Sequence, residues 1–234
     1  MHQQEHSDNP HSGAHRALEA FGIFAASTLV VALAMRVTLS VWDAPVRALT
    51  VAGAAAVGVL LADLFSGVVH WGFDRFGDES MPFFGPAFVK PFRLHHTDPK
   101  DILRHGFLET NGNTSLATVI PLALLSFLPL ESSWALFVVV AMTVASVLAV
   151  LTNQLHKWAH DESPPRAVAW MQRAHLILPR DHHALHHAWP HETHYCITTG
   201  WLNATLAKIS LWRALERVIE MSGARVHRDG RFTS

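Results

Sequence analysis

The sequence predicts an all-α polytopic membrane protein, with four transmembrane helices and a cytoplasmic, histidine-rich cap of short and amphipathic helices. Three observations lead there. Charged residues make up only 16% of the 234 positions, against roughly 25% in an ordinary soluble domain. The apolar residues, half of the total, come in blocks of about 17 or more, long enough to cross a bilayer. The 18 histidines lie outside those blocks or at their ends.

Met1 to Arg16 is polar, with His2, His6, His11 and His15 irregularly spaced; nothing apolar anchors it, so residues 1–16 are expected to be a disordered tail. The first span is placed at 18–35. Its Ala32-Leu33-Ala34 imitates a signal-peptidase site, but only Arg16 precedes it as a cation, so it reads as a retained helix. Asp43-Ala44-Pro45 is a turn. The second span, 46–70, is rich in Ala and Gly, which permit close helix packing. Residues 71–113 are polar and cut into short pieces by Pro82, Pro86, Pro91 and Pro99. Spans three and four, 114–130 and 134–155, are joined by a tight link, and Pro121 is expected to kink the third, which membrane helices tolerate. Residues 156–222 are polar again, with amphipathic helices expected at 167–178 and 202–221. Residues 17–234 read as one domain.

Lysine and arginine set the orientation. Arg36 and Arg47 are the only cations near the link between spans one and two, and the link between spans three and four has none. Residues 71–113 carry five (Arg75, Lys90, Arg93, Lys100, Arg104), and ten more follow the fourth span. The positive-inside rule then puts both termini and the 71–113 loop in the cytoplasm, at a bacterial inner membrane or the endoplasmic reticulum. Nearly all the clustered histidines fall on that side.

Several chemistries are excluded. A net charge of −1 without a basic stripe gives no footprint for nucleic acid. The single cysteine, Cys196, rules out internal disulfides, cysteine zinc sites and a protein-held iron–sulfur cluster. No C-x-x-C-H attaches haem, and no G-x-G-x-x-G follows a strand, so no bound flavin or nicotinamide is expected.

The chemistry is concentrated in residues 181–194, DHHALHHAWPHETH. If His182, His183, His186 and His187 are helical, all four rings fall within about 140° of arc. Neutral imidazole ligates transition metals, and histidine-rich tracts point to metal binding. A solvated polar turn would gain nothing from such crowding. His156 and His160, spaced i and i+4 at the end of span four, share a face. His95 and His96 diverge by about 100° if helical, so they suit two metals better than one. His70 and Asp74 share a helix face with Asp63, which lies inside the second span. Asp63 is either a protonated interhelical hydrogen-bond donor or the group that orients a ligand histidine.

The stronger ligand candidates are thus His70, Asp74, His95, His96, His156, His160, His182, His183, His186 and His187. One zinc ion needs three or four ligands, so ten are better explained by two ions, and the imidazole bias suits iron. His105, Asn111, His175 and His191 are candidates for ligation or for hydrogen bonding to ligands, with helix capping the alternative for Asn111. Trp189, Trp201 and Trp212 read as interfacial anchors, and Cys196 as an inert packed thiol. A histidine-held di-iron centre beside apolar helices fits O2-dependent attack on an unactivated C–H bond of a lipid chain, with electrons supplied from outside. The rival of another class is a b-type haem protein, which would use two to four of these histidines. A metal transporter would hold its ligands nearer mid-bilayer, and His191-Glu192-Thr193-His194 lacks the spacing of a zinc protease motif.

Four stretches carry a resemblance: HWGFD (70–74), KPFRLHHTDPKDILRHGFLETNGN (90–113), TNQLHKWAH (152–160) and LPRDHHALHHAWPHETHYCITTGWLN (178–203). Together they resemble the plasmanylethanolamine desaturase family over roughly Asp63 to Met221, which makes 17–234 a single lipid desaturase domain. The resemblance implies a di-iron membrane oxidoreductase that uses O2 and an external donor such as cytochrome b5 or a ferredoxin. It implies formation of the vinyl-ether bond of plasmalogens in the alkyl chain of an ether phospholipid. The family's histidines carry onto His70, His95, His96, His105, His156, His160, His182, His183, His186 and His187, with Asp74 as their carboxylate. A plant branch with similar motifs acts instead on an acyl chain of phosphatidylglycerol, so an ester-linked substrate is the alternative.

Overall fold

The computed structural model describes residues 13–82, 85, 89–228 and 231–232. Among the described residues the regular structure is helical apart from a small antiparallel ladder between His227–Arg228 and Arg231–Phe232. Of the expected tail, residues 1–12 lie outside the described residues, whereas Gly13 to Arg16 are helical.

Four long helices form the body: α1 (Gly13–Asp43), α2 (Ala48–Arg75), α4 (Phe107–Leu125) and α5 (Ser133–His160). Between and after them lie α3 (Lys90–Thr97), α6 (Arg166–Arg173), α7 (Arg180–His186), α8 (Asn203–Lys208) and α9 (Leu211–Glu220). Among the described residues three helices are long and apolar enough to cross a membrane: Gly13–Asp43, Pro45–Arg75 and Ser133–His160. The helix at the expected third span starts and ends earlier, running from Phe107 to Leu125, and Glu109, Asn111, Asn113 and Thr114 form its polar first turns. Its core face (Asn111, Gly112, Ser115, Thr118, Leu122) turns inward.

The body is layered in the order α1, α4, α5, α2, each packed along the next. Two glycines make close approaches possible. A Cβ on Gly22 of α1 would sit 2.9 Å from the Leu116 Cα of α4, and one on Gly58 of α2 would sit 2.8 Å from Val144 Cβ of α5. A dry core of Leu33, Ala54, Leu122, Leu136 and Val139 fills the space between. Large apolar side chains cover the outer faces: Phe24, Leu49, Phe127 and Trp134 are all more than two-thirds exposed, the arrangement of a surface turned to lipid. At the end of α4, Arg36 donates to the carbonyls of Ser126 (2.7 Å) and Leu128 (2.9 Å), satisfying a helix terminus from the neighbouring helix.

The polar segments fold onto the ends of α2 and α5. The expected helix at 167–178 is only α6, since the chain turns through left-handed backbone at His175 (φ 53°). The expected helix at 202–221 is broken into α8 and α9 at Ser210 (φ 53°). The break turns Trp212 inward, onto Trp71 and Tyr195. Trp212 is therefore buried core rather than an interfacial anchor, whereas Trp189 and Trp201 are exposed.

Candidate metal centre

Four helix ends supply the donors. The last turn of α2 carries His70 and Asp74, α3 carries His95 and His96, the last turn of α5 carries His156 and His160, and α7 with its C-cap carries His183, His186 and His187. Each short helix is bounded by proline (Pro91 in the first turn of α3, Pro179 at the N-cap of α7), which fixes where it starts.

These nine side chains sort into two groups. The first is His95, His156, His160, His183 and His187; the second is His70, Asp74, His96 and His186. Within each, the donor atoms lie within 4.8 Å of one another. The three i, i+4 pairs, His156/His160, His183/His187 and His70/Asp74, each stay within one group. The two adjacent pairs, His95/His96 and His186/His187, are split between the groups, as the divergence of neighbouring helical residues requires.

In the first group the Nε2 atoms of His95, His156, His183 and His187 form a closed ring: 3.0, 2.9, 3.1 and 2.9 Å around its edges. His160 Nε2 sits over it, 3.2 Å from His95, 3.3 Å from His156 and 2.9 Å from His183. Hydrogen bonding does not explain this. A neutral imidazole has one N–H, and His95 Nε2 faces three other nitrogens at once. One ion with bonds of about 2.1 Å would instead hold its neighbouring ligands about 3.0 Å apart. The donor set therefore fits a single transition-metal ion.

In the second group one carboxylate oxygen, Asp74 Oδ2, faces three imidazoles: His96 Nε2 at 3.0 Å, His70 Nε2 at 3.4 Å and His186 Nε2 at 3.5 Å. His70 Nε2, His186 Nε2 and Asp74 Oδ1 are buried with no hydrogen-bond partner among the described residues. Buried polar atoms left so are costly unless something else binds them. A second cation fits there. The rings of the two groups abut, with His183 and His186 5.7 Å apart and His70 and His156 5.6 Å apart between centroids.

Burial holds the imidazoles of His95, His183 and His187 well below the usual histidine range, and the neighbouring histidines push the same way. They are thus neutral at physiological pH, the form a metal needs. Thr193 orients a donor of the second group: its carbonyl accepts from His186 Nδ1 at 2.8 Å.

The other sequence candidates lie elsewhere. His182 belongs to neither group. It lies at the edge of the α7 arc, and its ring meets that of His194 at 5.1 Å, so the ligand expectation for it is corrected. Asp63 is neither a proton donor nor in contact with a ligand histidine. Its Oδ1 accepts from the backbone N–H of Thr199 and Gly200 (2.8 Å each) and its Oδ2 from Leu202 (3.0 Å). It pins the 199–202 loop to mid-α2. His105 lies between Asp101 (3.2 Å) and Glu109 (2.8 Å), away from both groups. Although burial opposes it, these two carboxylates hold its pKa above the ordinary value. Asn111 donates to the Phe107 carbonyl within α4. The His175 carbonyl accepts from Trp201 Nε1. His191, half-buried, packs its ring 4.6 Å from that of His96 and flanks the second group. Cys196 is fully buried, and burial pushes its thiol up, as an inert packed cysteine requires.

One supporting feature had no sequence signal. Arg75, next to Asp74, donates to Glu216 Oε1 at 2.7 Å and lies 3.3 Å from Glu192, and Trp71 Nε1 reaches the same Glu216. This buried network fastens α9 and the 187–194 loop to the end of α2.

A model of the lipid desaturase domain matches residues 59–229, a stretch that contains every donor of both groups. The chain belongs to the lipid desaturase family. It is 41% identical over 211 residues to plasmanylethanolamine desaturase of Myxococcus xanthus, covering 89% of this chain and 73% of that one. It is 44% identical over 173 residues to mouse plasmanylethanolamine desaturase 1, covering 70% of this chain and 62% of that one. It is 37% identical over 169 residues to the chloroplastic fatty acid desaturase 4 of Arabidopsis thaliana, covering 70% of this chain and half of that one. No solved structure matches. The b-type haem alternative falls away for this lipid desaturase, since five imidazoles converge on one point and haem iron offers only two axial positions.

Proposed function

We propose that this chain is a plasmanylethanolamine desaturase. It would take one hydrogen from each of the first two carbons of the alkyl chain, counted from the ether oxygen, leaving a vinyl-ether double bond. The balance is one O2, two electrons and two protons in, and two waters out. The observation that carries the reading is the pairing of two donor groups, five imidazoles beside three imidazoles and a carboxylate, at the ends of apolar helices. The identity to two proteins of that name supports the substrate.

His95, His156, His160, His183 and His187 would hold one iron ion, and His70, Asp74, His96 and His186 the other. Iron bound there supplies O2 activation and hydrogen abstraction from an unactivated C–H bond. The chain's own residues do the rest. Neutral buried imidazoles keep the donor set deprotonated, Thr193 fixes the tautomer of His186, and the Arg75–Glu216–Glu192 network keeps the 187–194 loop closed over the centre. The α4 helix would serve as the third of four spans, with the donor-bearing cap and both termini in the cytoplasm. There a cytochrome b5-like protein or a ferredoxin would deliver electrons.

Expression in a host that makes alkyl ether lipids but no plasmalogens tests this. Acid-labile vinyl-ether species should appear with the wild-type chain and not with the His156→Ala variant. The Arabidopsis relative, named a fatty acid desaturase, motivates a second reading in which the bond forms in an ester-linked acyl chain. New acyl unsaturation without acid-labile aldehyde release would select it.

A further inference from the structure

A cavity of about 580 Å3 opens on the second donor group, with Asp74 and His96 in its wall. The rest of its wall is mixed in charge. Glu79, Lys90 and Arg93 face it together with the exposed ring of Trp189. Arg75, which also borders it, is held by Glu216 and Glu192. Arg93 is fixed in place by donating to the Gly77 carbonyl at 2.8 Å and contributes a stationary positive charge. Glu79 and Lys90 are exposed, and Glu79 lies close enough to Arg93 for the two charges to attract.

A cavity offering separate cationic and anionic side chains suits a zwitterion. Its size is that of a small-molecule site, in the range of roughly 300–1,000 Å3. Its position matters more. In an ether phospholipid the carbon to be desaturated is about six covalent bonds from the phosphorus, a reach of roughly 8 Å when extended. A reaction so near the glycerol requires the phosphate to be seated beside the metal ligands themselves. Attack far down a chain would leave the head group distant, and no charged cavity would be needed at the centre.

We propose that this cavity holds the phosphoethanolamine head group, with Lys90 and Arg93 facing the phosphate and Glu79 accepting the ammonium hydrogens. This rests on the reading of the chain as a plasmanylethanolamine desaturase. Trp189 offers its ring face to the same cation. The two kinds of contact differ in selectivity. A ring face attracts ammonium and trimethylammonium alike, whereas a carboxylate gains hydrogen bonds only from a group that has N–H to give. Glu79 is therefore the residue that separates ethanolamine from choline lipids, and Lys90 serves both.

The test uses the full, metal-loaded chain in lipid nanodiscs. Binding of glycerophosphoethanolamine, glycerophosphocholine and inorganic phosphate is measured by competition, and turnover of ethanolamine and choline ether lipids is compared. The wild type should bind glycerophosphoethanolamine about tenfold or more tightly than glycerophosphocholine, as hydrogen bonds to a charged group imply. Glu79→Gln should bring that preference, and the matching ratio of kcat/KM, to within about twofold. Lys90→Gln should weaken both ligands alike. Bound metal, read in each variant, reports whether the centre is intact; if Glu79→Gln loses metal, Glu79→Asp replaces it and should keep most of the preference. An unchanged preference in Glu79→Gln overturns the proposal, and so does inorganic phosphate binding as tightly as glycerophosphoethanolamine. Head-group binding as described, with no vinyl-ether product, would sink the desaturase reading and leave the cavity's assignment standing.

Discussion

His186 reaches two partners at once: its Nδ1 lies 2.8 Å from the carbonyl oxygen of Thr193, and its Nε2 lies 3.5 Å from Asp74 Oδ2. The carbonyl takes the ring's one hydrogen, so the lone pair is left on the side of the second donor group. His186→Ala should therefore lower bound iron from two ions to about one per chain and reduce vinyl-ether formation about 100-fold or more. His182→Ala, one turn away and facing His194, should keep both within about twofold. Metal analysis and lipid profiling of the two variants check this. Wild-type turnover in the first, or iron loss in the second, contradicts the assignment.

Asp63 accepts three backbone N–H groups from the 199–202 loop. Asp63→Asn keeps the shape but sets an amide N–H2 where an acceptor is needed. The expected cost is about 2–3 kcal/mol, seen as a lower melting temperature in detergent, with metal lost only on unfolding. A variant as stable as wild type would show that these contacts contribute nothing.

At Gly67 a Cβ would sit 2.6 Å from the Cys196 sulfur and 3.2 Å from the Trp212 ring. Gly67→Ala should destabilise by about 1–3 kcal/mol through overpacking. Adding Cys196→Ala removes the nearer obstacle, so the double variant should recover about 1 kcal/mol relative to simple addition. Thermal unfolding of the four members of the cycle gives the coupling, and strict additivity would refute the contact.

The metal-free protein should weaken in acid. Burial keeps His95 and His183 well below the ordinary histidine range. The unfolded chain therefore takes up protons near pH 6.5 that the folded chain does not. Their contribution is whole above about pH 6.5 and is lost progressively as the pH falls beneath it. His105 runs the other way. Its raised pKa adds stability below about pH 6.5 that is lost as the pH rises through the folded value, so His105→Gln should cost stability at pH 6 and almost none at pH 9. Melting curves of the metal-free chain from pH 5 to 9 check both signs. A flat profile between pH 7.5 and 5 would contradict the first.

The fold and the centre were legible in the sequence to different depths. The three long apolar helices announce themselves by block length alone, and the i, i+4 spacing of His156 with His160 and of His70 with Asp74 placed each pair on one face. The divergence of His95 and His96 was likewise readable, because 100° per residue is a property of any helix. The place of His182 is not readable for the same reason. Within one arc, periodicity cannot tell which edge faces inward, since that depends on where α7 docks. The role of Asp63 is not readable because its partners lie more than 130 residues away and are backbone groups, which leave no trace in side-chain pattern. The pairing of Arg75 with Glu216 is of that kind too, and so are the ends of α6 and α8, where tertiary packing stops helices that periodicity would continue.

The division of neighbouring histidines between the two groups has a mechanical result. One peptide unit at 95–96 and another at 186–187 each grip both metal positions. The gap between the two donor groups is therefore tied to the covalent length of the backbone as well as to how the helices pack. A shift of α3 or α7 would therefore carry donors of both groups together.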